Sequence, residues 1–229
     1  MFESFVLNMS ALSPIAAGEP QHAETRLHLL EAAGEVFAES GFREATIREI
    51  CRRANANVAA VNYHFGDKET LYLEVLRYAH KSAYEKHPLL PGVGPETPPE
   101  EKLRAFIHSF LMRIFTKDRS AWHGRIIARE MIEPTAGLDA LVQERMRPMA
   151  ATLWEIMAGV LGCPVTDERV RLCAASVMSQ VVFYHHCRPV LERLDSRLLP
   201  HDLAGIERLA NHITTFSLTA MKHLPPVQP

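Results

Sequence analysis

Apolar residues recur at helical spacing along nearly the whole chain, and strand-like alternation is almost absent. Proline and glycine cut this pattern into separate helical segments. The chain of 229 residues is too long for one small helical domain and short for three. The sequence therefore predicts an all-α protein, with an N-terminal three-helix domain followed by a larger helical domain.

The first third of the chain carries helical segments with recognisable ends. We expect helices over residues 23–40, 47–54, 58–64 and 67–86. Gly41 occupies the position of a helix C-terminal glycine, and Thr46 with Glu49 forms a capping-box pattern. Asn57 is the expected N-cap of the third helix. The predicted buried faces comprise Leu27, Leu30, Gly34, Phe37, Ile47, Ile50, Cys51, Ala54, Val58 and Val61.

A proline-rich segment separates this region from the rest of the chain. Residues 88–99 hold five of the 15 prolines and two glycines, which is typical of a linker. We expect a loose tail over residues 1–22, a first domain over 23–87, a second over 100–224 and a short tail over 225–229. The second domain is expected to hold five helices, over residues 100–117, 121–133, 138–161, 167–194 and 200–224.

Composition argues against several classes of protein. The net charge of −2 does not suit a general nucleic-acid-coating protein, but it permits a local basic surface. The four cysteines are scattered, which indicates reduced thiols rather than a disulfide framework or structural zinc. No segment resembles a secretory signal or a membrane span. We therefore expect a cytoplasmic protein without a membrane partner, a metal or a cofactor.

Residues 46–64 form the pattern with the clearest functional meaning. Two short helices joined by a very short turn are typical of a helix-turn-helix. The outward face of the second helix carries small or polar residues, namely Ala59, Ala60, Asn62 and Tyr63. Such a face can approach the major groove closely, and Asn and Tyr can bond to base edges or phosphates. The sequence therefore predicts a protein that binds double-stranded DNA.

Residues 24–81 resemble the DNA-binding domain of the TetR family of bacterial regulators. The match rests on Ala32-Ala33-x-x-Val36-Phe37-x-x-x-Gly41-Phe42, on Thr46-x-Arg48-x-Ile50 and on the run from Asn57 to Glu69. The resemblance implies that Thr46 and Lys68 hold phosphates and that Arg48 reaches a phosphate or a base edge. It places further contacts on the recognition helix, at Asn57, Ala59, Ala60, Asn62, Tyr63 and His64. Where the family usually has glycine in the turn, this chain has Asn55, the non-glycine residue that best tolerates a left-handed backbone.

Some alternatives stay open in this region. Tyr63 fits either a DNA contact or packing, and His64 fits either a phosphate contact or a helix end. Residues 24–86 carry nine Lys plus Arg against ten Asp plus Glu, so this domain has no bulk basic charge. We therefore expect modest non-specific affinity and reliance on a second subunit. Two-fold dimers of this kind read half-sites about 34–36 Å apart.

The resemblance implies that the second domain forms a dimer interface and a cavity for an unknown small-molecule effector. Residues 122–135 and 183–191 also resemble the TetR subgroup with a CerR-type C-terminal domain. The predicted interface uses the last two helices, whose stripes could build a four-helix bundle or fill the monomer core. These stripes are Val170, Ala174, Val177 and Val181, then Leu203, Ile206, Leu209, Ile213 and Phe216. The predicted pocket residues, which also fit an ordinary core, are Phe106, Phe110, Ile114, Trp122, Arg125, Arg129, Met149, Phe183 and His186.

Other functions compete with this interpretation. The run Tyr184-His185-His186-Cys187 suggests a metal site, but adjacent helical residues point about 100° apart, so these histidines do not chelate one ion together. We expect His186 to face the interior instead. No nucleophile–base motif or phosphate loop indicates an enzyme. The sequence favours a ligand-relieved repressor that binds a palindromic operator as a homodimer, with an activator or a metal-responsive regulator as alternatives.

Overall fold

The computed structural model describes residues 20–116 and 121–225, and every regular element within these ranges is helical. The predicted all-α fold is therefore confirmed. The N-terminal helices are α1 (Pro20–Glu44), α2 (Ile47–Ala54), α3 (Val58–Phe65) and α4 (Lys68–Lys86), which together we call the head. They are followed by α5 (Pro99–Phe115), α6 (Ala121–Ile132), α7 (Ala136–Leu141), α8 (Arg147–Leu161), α9 (Glu168–His186), α10 (Arg188–Asp195) and α11 (Leu203–Met221). None of these described helices is long and apolar enough to cross a membrane.

The regular part of α1 ends where the sequence predicts a C-terminal glycine. Gly41 has a φ of 80° and a ψ of 169°, which interrupts the helix. Leu27, predicted to be buried, is 44% exposed, because the buried stripe is centred on Leu29, Ala33 and Val36. Residues 1–19 of the predicted tail lie outside the described residues, and residues 20–22 belong to α1.

The head shares one apolar core with α6. Ile50, Val61 and Phe65 are buried in this core, and so are Trp122 and Ile126 of α6. The Trp122 ring lies directly over α1, and its Nε1 donates a hydrogen bond to a carboxylate of that helix at 2.9 Å. A helix that follows the predicted linker therefore completes the core of the head.

Two carboxylates fix α6 to the head by hydrogen bonds. Glu31 of α1, the acceptor for the indole, also accepts from the Tyr78 hydroxyl at 2.8 Å. Glu130 of α6 is fully buried and accepts from the Tyr72 hydroxyl of α4 at 2.5 Å. It also accepts from the backbone N–H and the hydroxyl of Thr135, at 2.8 and 2.9 Å. Both α1 and α4 are thus joined to α6 by polar as well as apolar contacts.

A second core lies between α5, α8, α9 and α11. Its buried residues include Phe106, Leu153, Val177 and Ile213. A π-helical turn over Val142–Met146 joins α7 to α8, so the helix predicted over residues 138–161 is one helical run with a wider turn inside it. Tyr84 at the end of the head reaches this region and donates its hydroxyl to the Met149 sulfur at 3.0 Å.

The single helix predicted over residues 167–194 is wrong, because the chain breaks at Cys187 into α9 and α10. Pro189 lies two residues after the break. It has no N–H to donate within a continuous helix, and its ring would clash with the carbonyl of residue 185. The start of α9 is as expected, since the Asp167 side chain accepts from the Arg169 N–H at 2.9 Å.

The apolar stripes predicted for a dimer interface lie mostly inside the monomer. The buried members, all in the second core, are Val170, Ala174, Val177, Val181, Ile206, Leu209 and Ile213. Only Leu203 and Phe216 are exposed, at 66% and 60%. A stripe that packs within the chain has the same periodicity as one that packs on a partner, so the sequence could not separate the two.

Candidate nucleic-acid interface

The turn between α2 and α3 has the predicted conformation. Asn55 adopts a left-handed backbone with a φ of 50°. The N–H of Ala56 donates to the carbonyl of Cys51 at 2.9 Å, which closes the C-terminal end of α2. Two helices of eight residues each are therefore joined by only three residues, as a helix-turn-helix requires.

Both short helices begin at a side-chain cap. The Thr46 hydroxyl oxygen accepts from the Glu49 N–H at 3.2 Å. The side-chain oxygen of Asn57 accepts from the Ala60 N–H at 2.8 Å. Because the Thr46 side chain is exposed and acts here as an acceptor, its hydroxyl proton can still be donated to a phosphate. The helix N-terminus adds further N–H groups for the same anion.

The capping box predicted for Thr46 and Glu49 is only half formed. The Glu49 carboxylate instead accepts from Arg52 at 2.7 Å and from Arg53 at 3.4 Å. The hydrogen bond from Arg52 lowers the pKa of Glu49 to about 2. Arg53 also pairs with Glu39 of α1 at 2.9 Å. These carboxylates hold both arginines in ion pairs on the head, although Arg52 stays exposed, as does Arg48.

The exposed face of α3 is rotated from the predicted one. Ala59, Asn62 and Tyr63 are exposed as expected, with 74% of Tyr63 accessible. Ala60 packs partly against the core of the head, whereas Val58, predicted to be buried, is 49% exposed. The face around Asn62 therefore includes an apolar side chain that could contact a thymine methyl group.

A lysine and an arginine meet beside this face. Lys68, at the start of α4, donates from Nζ to the backbone carbonyl of Arg43 at 3.2 Å. The same nitrogen lies 4.8 Å from the ring centroid of Phe42. Arg43 itself is exposed and was not among the DNA-contacting residues predicted from the sequence. Its position two residues after Gly41, as the basic residue in the last turn of α1, is the sequence signal that points to it.

The end of α3 bears on whether His64 terminates this helix. Gly66 ends the helix with a φ of 79°, and Asp67 then caps α4 by accepting from the Thr70 N–H at 2.7 Å. His64 is thus not required as the helix end. Its side chain is partly buried, and burial, followed by the nearby positive groups of α1, lowers its pKa.

The residues predicted to line an effector pocket do not share one cavity in the described structure. Phe106 and Met149 line a cleft of about 260 Å³ between α5, α8 and α9. Phe110 and Ile114 pack against the second core. Three others lie on α6, where Trp122 fills the head, Arg125 is exposed and Arg129 donates to the Glu39 carbonyl at 3.3 Å.

The last two predicted pocket residues are on the surface of α9. Phe183 and His186 are exposed, so the expectation that His186 faces the interior is wrong. The buried face of α9 runs through Val177 and Val181, and helical spacing continues it to His185. Burial accordingly lowers the pKa of His185. Among residues 20–116 and 121–225, no group of three or more His, Cys, Asp or Glu side chains could hold a metal ion.

Comparisons with known proteins agree with this geometry. Residues 99–221 match the family model for the C-terminal domain of the HTH-type transcriptional dual regulator CecR. Residues 29–75 match the model for bacterial regulatory proteins of the tetR family. CecR of Shigella flexneri is 26% identical over 169 residues, which cover 70% of this chain and 75% of that protein. The HTH-type transcriptional repressor NicS of Pseudomonas putida is 27% identical over 212 residues, covering 89% of this chain and 94% of the relative.

Solved structures show the same fold at lower sequence identity. A TetR-family transcriptional regulator from Streptomyces coelicolor superposes with a TM-score of 0.62 at 18% identity, over 88% of this chain and 97% of the other. A transcriptional regulator from a Rhodococcus species gives a TM-score of 0.61 at 17% identity, over 87% and 99% of the two chains. The arrangement of the head and the C-terminal helices is therefore shared with these regulators.

Proposed function

The chain belongs to the TetR family of bacterial transcriptional regulators, with a C-terminal domain of the CecR type, and from this premise we propose that it is a ligand-relieved repressor. As a homodimer it binds a palindromic operator through α3, and a small molecule bound among the C-terminal helices releases it. The family and the relatives are transcriptional regulators and not enzymes. NicS is named a repressor and CecR a dual regulator, and the likeness to NicS supports repression here.

The proposal of DNA binding rests mainly on the exposed face of α3. Asn62 and Tyr63 project from a helix whose other side is anchored by Val61 in the core of the head. We assign phosphate contacts to the Thr46 cap at the start of α2 and to Lys68 at the start of α4. A side chain that can read a base edge, such as Asn62, together with phosphate contacts around it, is what a recognition helix needs in the major groove.

A groove between α9 and α11 supports the homodimer. Its volume is about 450 Å³, and its walls are mainly apolar. Leu172, Phe216 and Leu224 line it and are 57%, 60% and 41% exposed. Large apolar side chains clustered on one exposed surface mark an interaction site. We assign this groove to a second copy of the chain, since packing α9 and α11 across a two-fold axis would complete a four-helix bundle.

The cleft between α5, α8 and α9 supports an effector site. Met149 and Met178 line it, and methionine adapts to ligands of different shape. Trp154 stands at its edge with the Arg171 guanidinium 5.0 Å from the ring centroid. An effector relieves repression only when it binds the DNA-free state more tightly than the DNA-bound state.

Replacing Phe216 with glutamate is expected to convert the dimer to a monomer. The substitution puts a charge into the apolar groove, where burial against a partner would leave it unpaired. Because operator affinity depends on two half-sites, the monomer should also lose at least about a hundred-fold in affinity. Light scattering would measure the mass, and fluorescence anisotropy would measure binding to an operator selected from random DNA.

Ile132 provides a matched control for this variant. It is 74% exposed at the end of α6, outside the groove, so Ile132→Glu should remain dimeric. Circular dichroism would show that both variants are folded. A wild-type protein that is monomeric at micromolar concentration, or a Phe216→Glu dimer, would contradict the assigned interface. Selection that yields a motif without two-fold symmetry would contradict the palindromic operator.

A further inference from the structure

The exposed face of α3 continues onto the first turn of α1 through three rings. The ring centroid of His22 lies 5.8 Å from that of Tyr63 and 6.3 Å from that of His64. Tyr63 and His64 are 5.0 Å apart. His22 and Tyr63 are exposed, and His64 is partly buried beneath them. We call these three residues the ring cluster. His22 lies before the segment that matches the tetR family model, and neither the motifs nor the resemblance gives it a role.

The charged groups around the ring cluster come from two helices. On α1, Arg26 follows His22 by one turn, and its guanidinium lies 5.2 Å from the ring centroid of Phe65. On α4, Glu74 pairs with Arg26 at 2.7 Å. The groups that act electrostatically on His64 are His22 and Arg26, both of which disfavour a second positive charge. Burial first, and then these two groups, lower the pKa of His64, which favours its neutral form in the free protein.

A DNA phosphate beside the ring cluster would reverse this balance. An imidazolium donates a hydrogen bond from each ring nitrogen and carries a positive charge, whereas a neutral imidazole donates only one hydrogen bond. The negative phosphate favours the charged form, so binding would raise the pKa of the histidine that it contacts. The Tyr63 hydroxyl can donate to the same phosphate group or to its neighbour.

We propose that His22 belongs to the DNA interface and that the ring cluster binds a backbone phosphate of the operator with uptake of a proton. This inference rests on the proposed function, because it needs α3 in the major groove. A phosphate contact carries no sequence information. Lower pH therefore strengthens binding to all duplex DNA and leaves the choice of sequence unchanged. The contact also gives the head, which has no bulk basic charge, an additional cation on the DNA side.

The test is fluorescence anisotropy with the full-length dimer, on the selected operator and on a scrambled duplex of the same length. Between about pH 8 and about pH 6, affinity for both duplexes should rise, by at most about ten-fold per pH unit for each proton taken up. At the lower pH the slope of log K against log salt should be steeper by about one. Variants His22→Gln and His64→Gln should each flatten the pH profile. His28→Gln changes an exposed histidine elsewhere on α1 and should keep the wild-type profile.

The possible results distinguish a failure of the proton-linked contact from a failure of DNA binding. Wild-type pH profiles in both His22→Gln and His64→Gln would overturn the proton-linked contact. A pH effect on binding to the operator but not to the scrambled duplex would contradict a phosphate contact. Binding that does not change with pH would contradict proton uptake and leave the proposed function intact. Wild-type protein that binds no DNA at any pH would overturn the proposed function itself. Thermal melts at each pH would establish that all variants are folded.

Discussion

Replacing Gly34 with valine is expected to lower the free energy of unfolding by about 3 kcal/mol, the upper part of the usual range for overpacking a core. A Cβ at this position would lie 2.5 Å from three atoms of the Trp122 ring. The ring cannot easily move away, since Trp122 is 2% exposed and its Nε1 is held by Glu31 at 2.9 Å. The variant should therefore force α6 away from α1.

Gly124 provides the control for this substitution. It also lies within a helix, α6, but a Cβ there meets no atom within 4 Å. Gly124→Val should change stability by no more than about 0.5 kcal/mol, from helix propensity alone. Urea unfolding followed by circular dichroism measures both variants. Equal stability for the two would show that α6 does not pack on the head as described.

Glu130→Ala is expected to cost about 3 kcal/mol of stability, because three hydrogen bonds to a buried carboxyl group are lost at once. Tyr72 is only 4% exposed, and its hydroxyl would be left without this acceptor. Burial, followed by the Glu130 carboxylate, raises the pKa of Tyr72 far above its usual value, so the hydroxyl stays protonated and remains a donor.

Two further variants, Glu133→Ala and Glu130→Gln, serve as controls for the loss of stability in Glu130→Ala. Glu133 lies just beyond the end of α6, is exposed and pairs with Arg129 at 3.2 Å, so Glu133→Ala should cost less than about 1 kcal/mol. Glu130→Gln keeps the shape and one strong acceptor, so its loss should fall between the two. Urea unfolding again provides the measurement. A Glu130→Ala variant as stable as Glu133→Ala would mean that the buried carboxylate does not hold α6 in place.

Local signals were sufficient to predict the helix ends of the head. Thr46, Asn57 and Asp67 each cap a helix with their own side chain, and Gly41 and Asn55 each adopt the non-helical backbone that their residue type tolerates. These features depend on a few neighbouring residues, so the sequence contains the information directly. The same holds for the short turn on which the helix-turn-helix assignment depends.

Contacts between distant segments could not be predicted in this way. Trp122 and Ile126 of α6 are apolar residues at helical spacing. This spacing is the same whether the helix faces an effector cavity or the head. Gly34 in the middle of an apolar face was the available hint, since it leaves space for a large ring. The helix break at Cys187 was not predicted because the apolar pattern continues across it. Pro189 was the local signal for that break. His186 was expected to face the interior, but a helix turns by about 100° per residue, so the inward position belongs to the adjacent His185.

Operator binding by the Tyr63→Ala variant tests the central claim most directly. Tyr63 is 74% exposed on α3, so removing its side chain should leave the fold and the dimer unchanged. Each half-site would lose a contact of about 1–3 kcal/mol, so the dimer should bind the selected operator at least about a hundred-fold more weakly. Fluorescence anisotropy measures this loss, with light scattering to confirm the dimer. A folded dimeric Tyr63→Ala variant that binds the operator with wild-type affinity would contradict the assignment of α3 as the recognition helix.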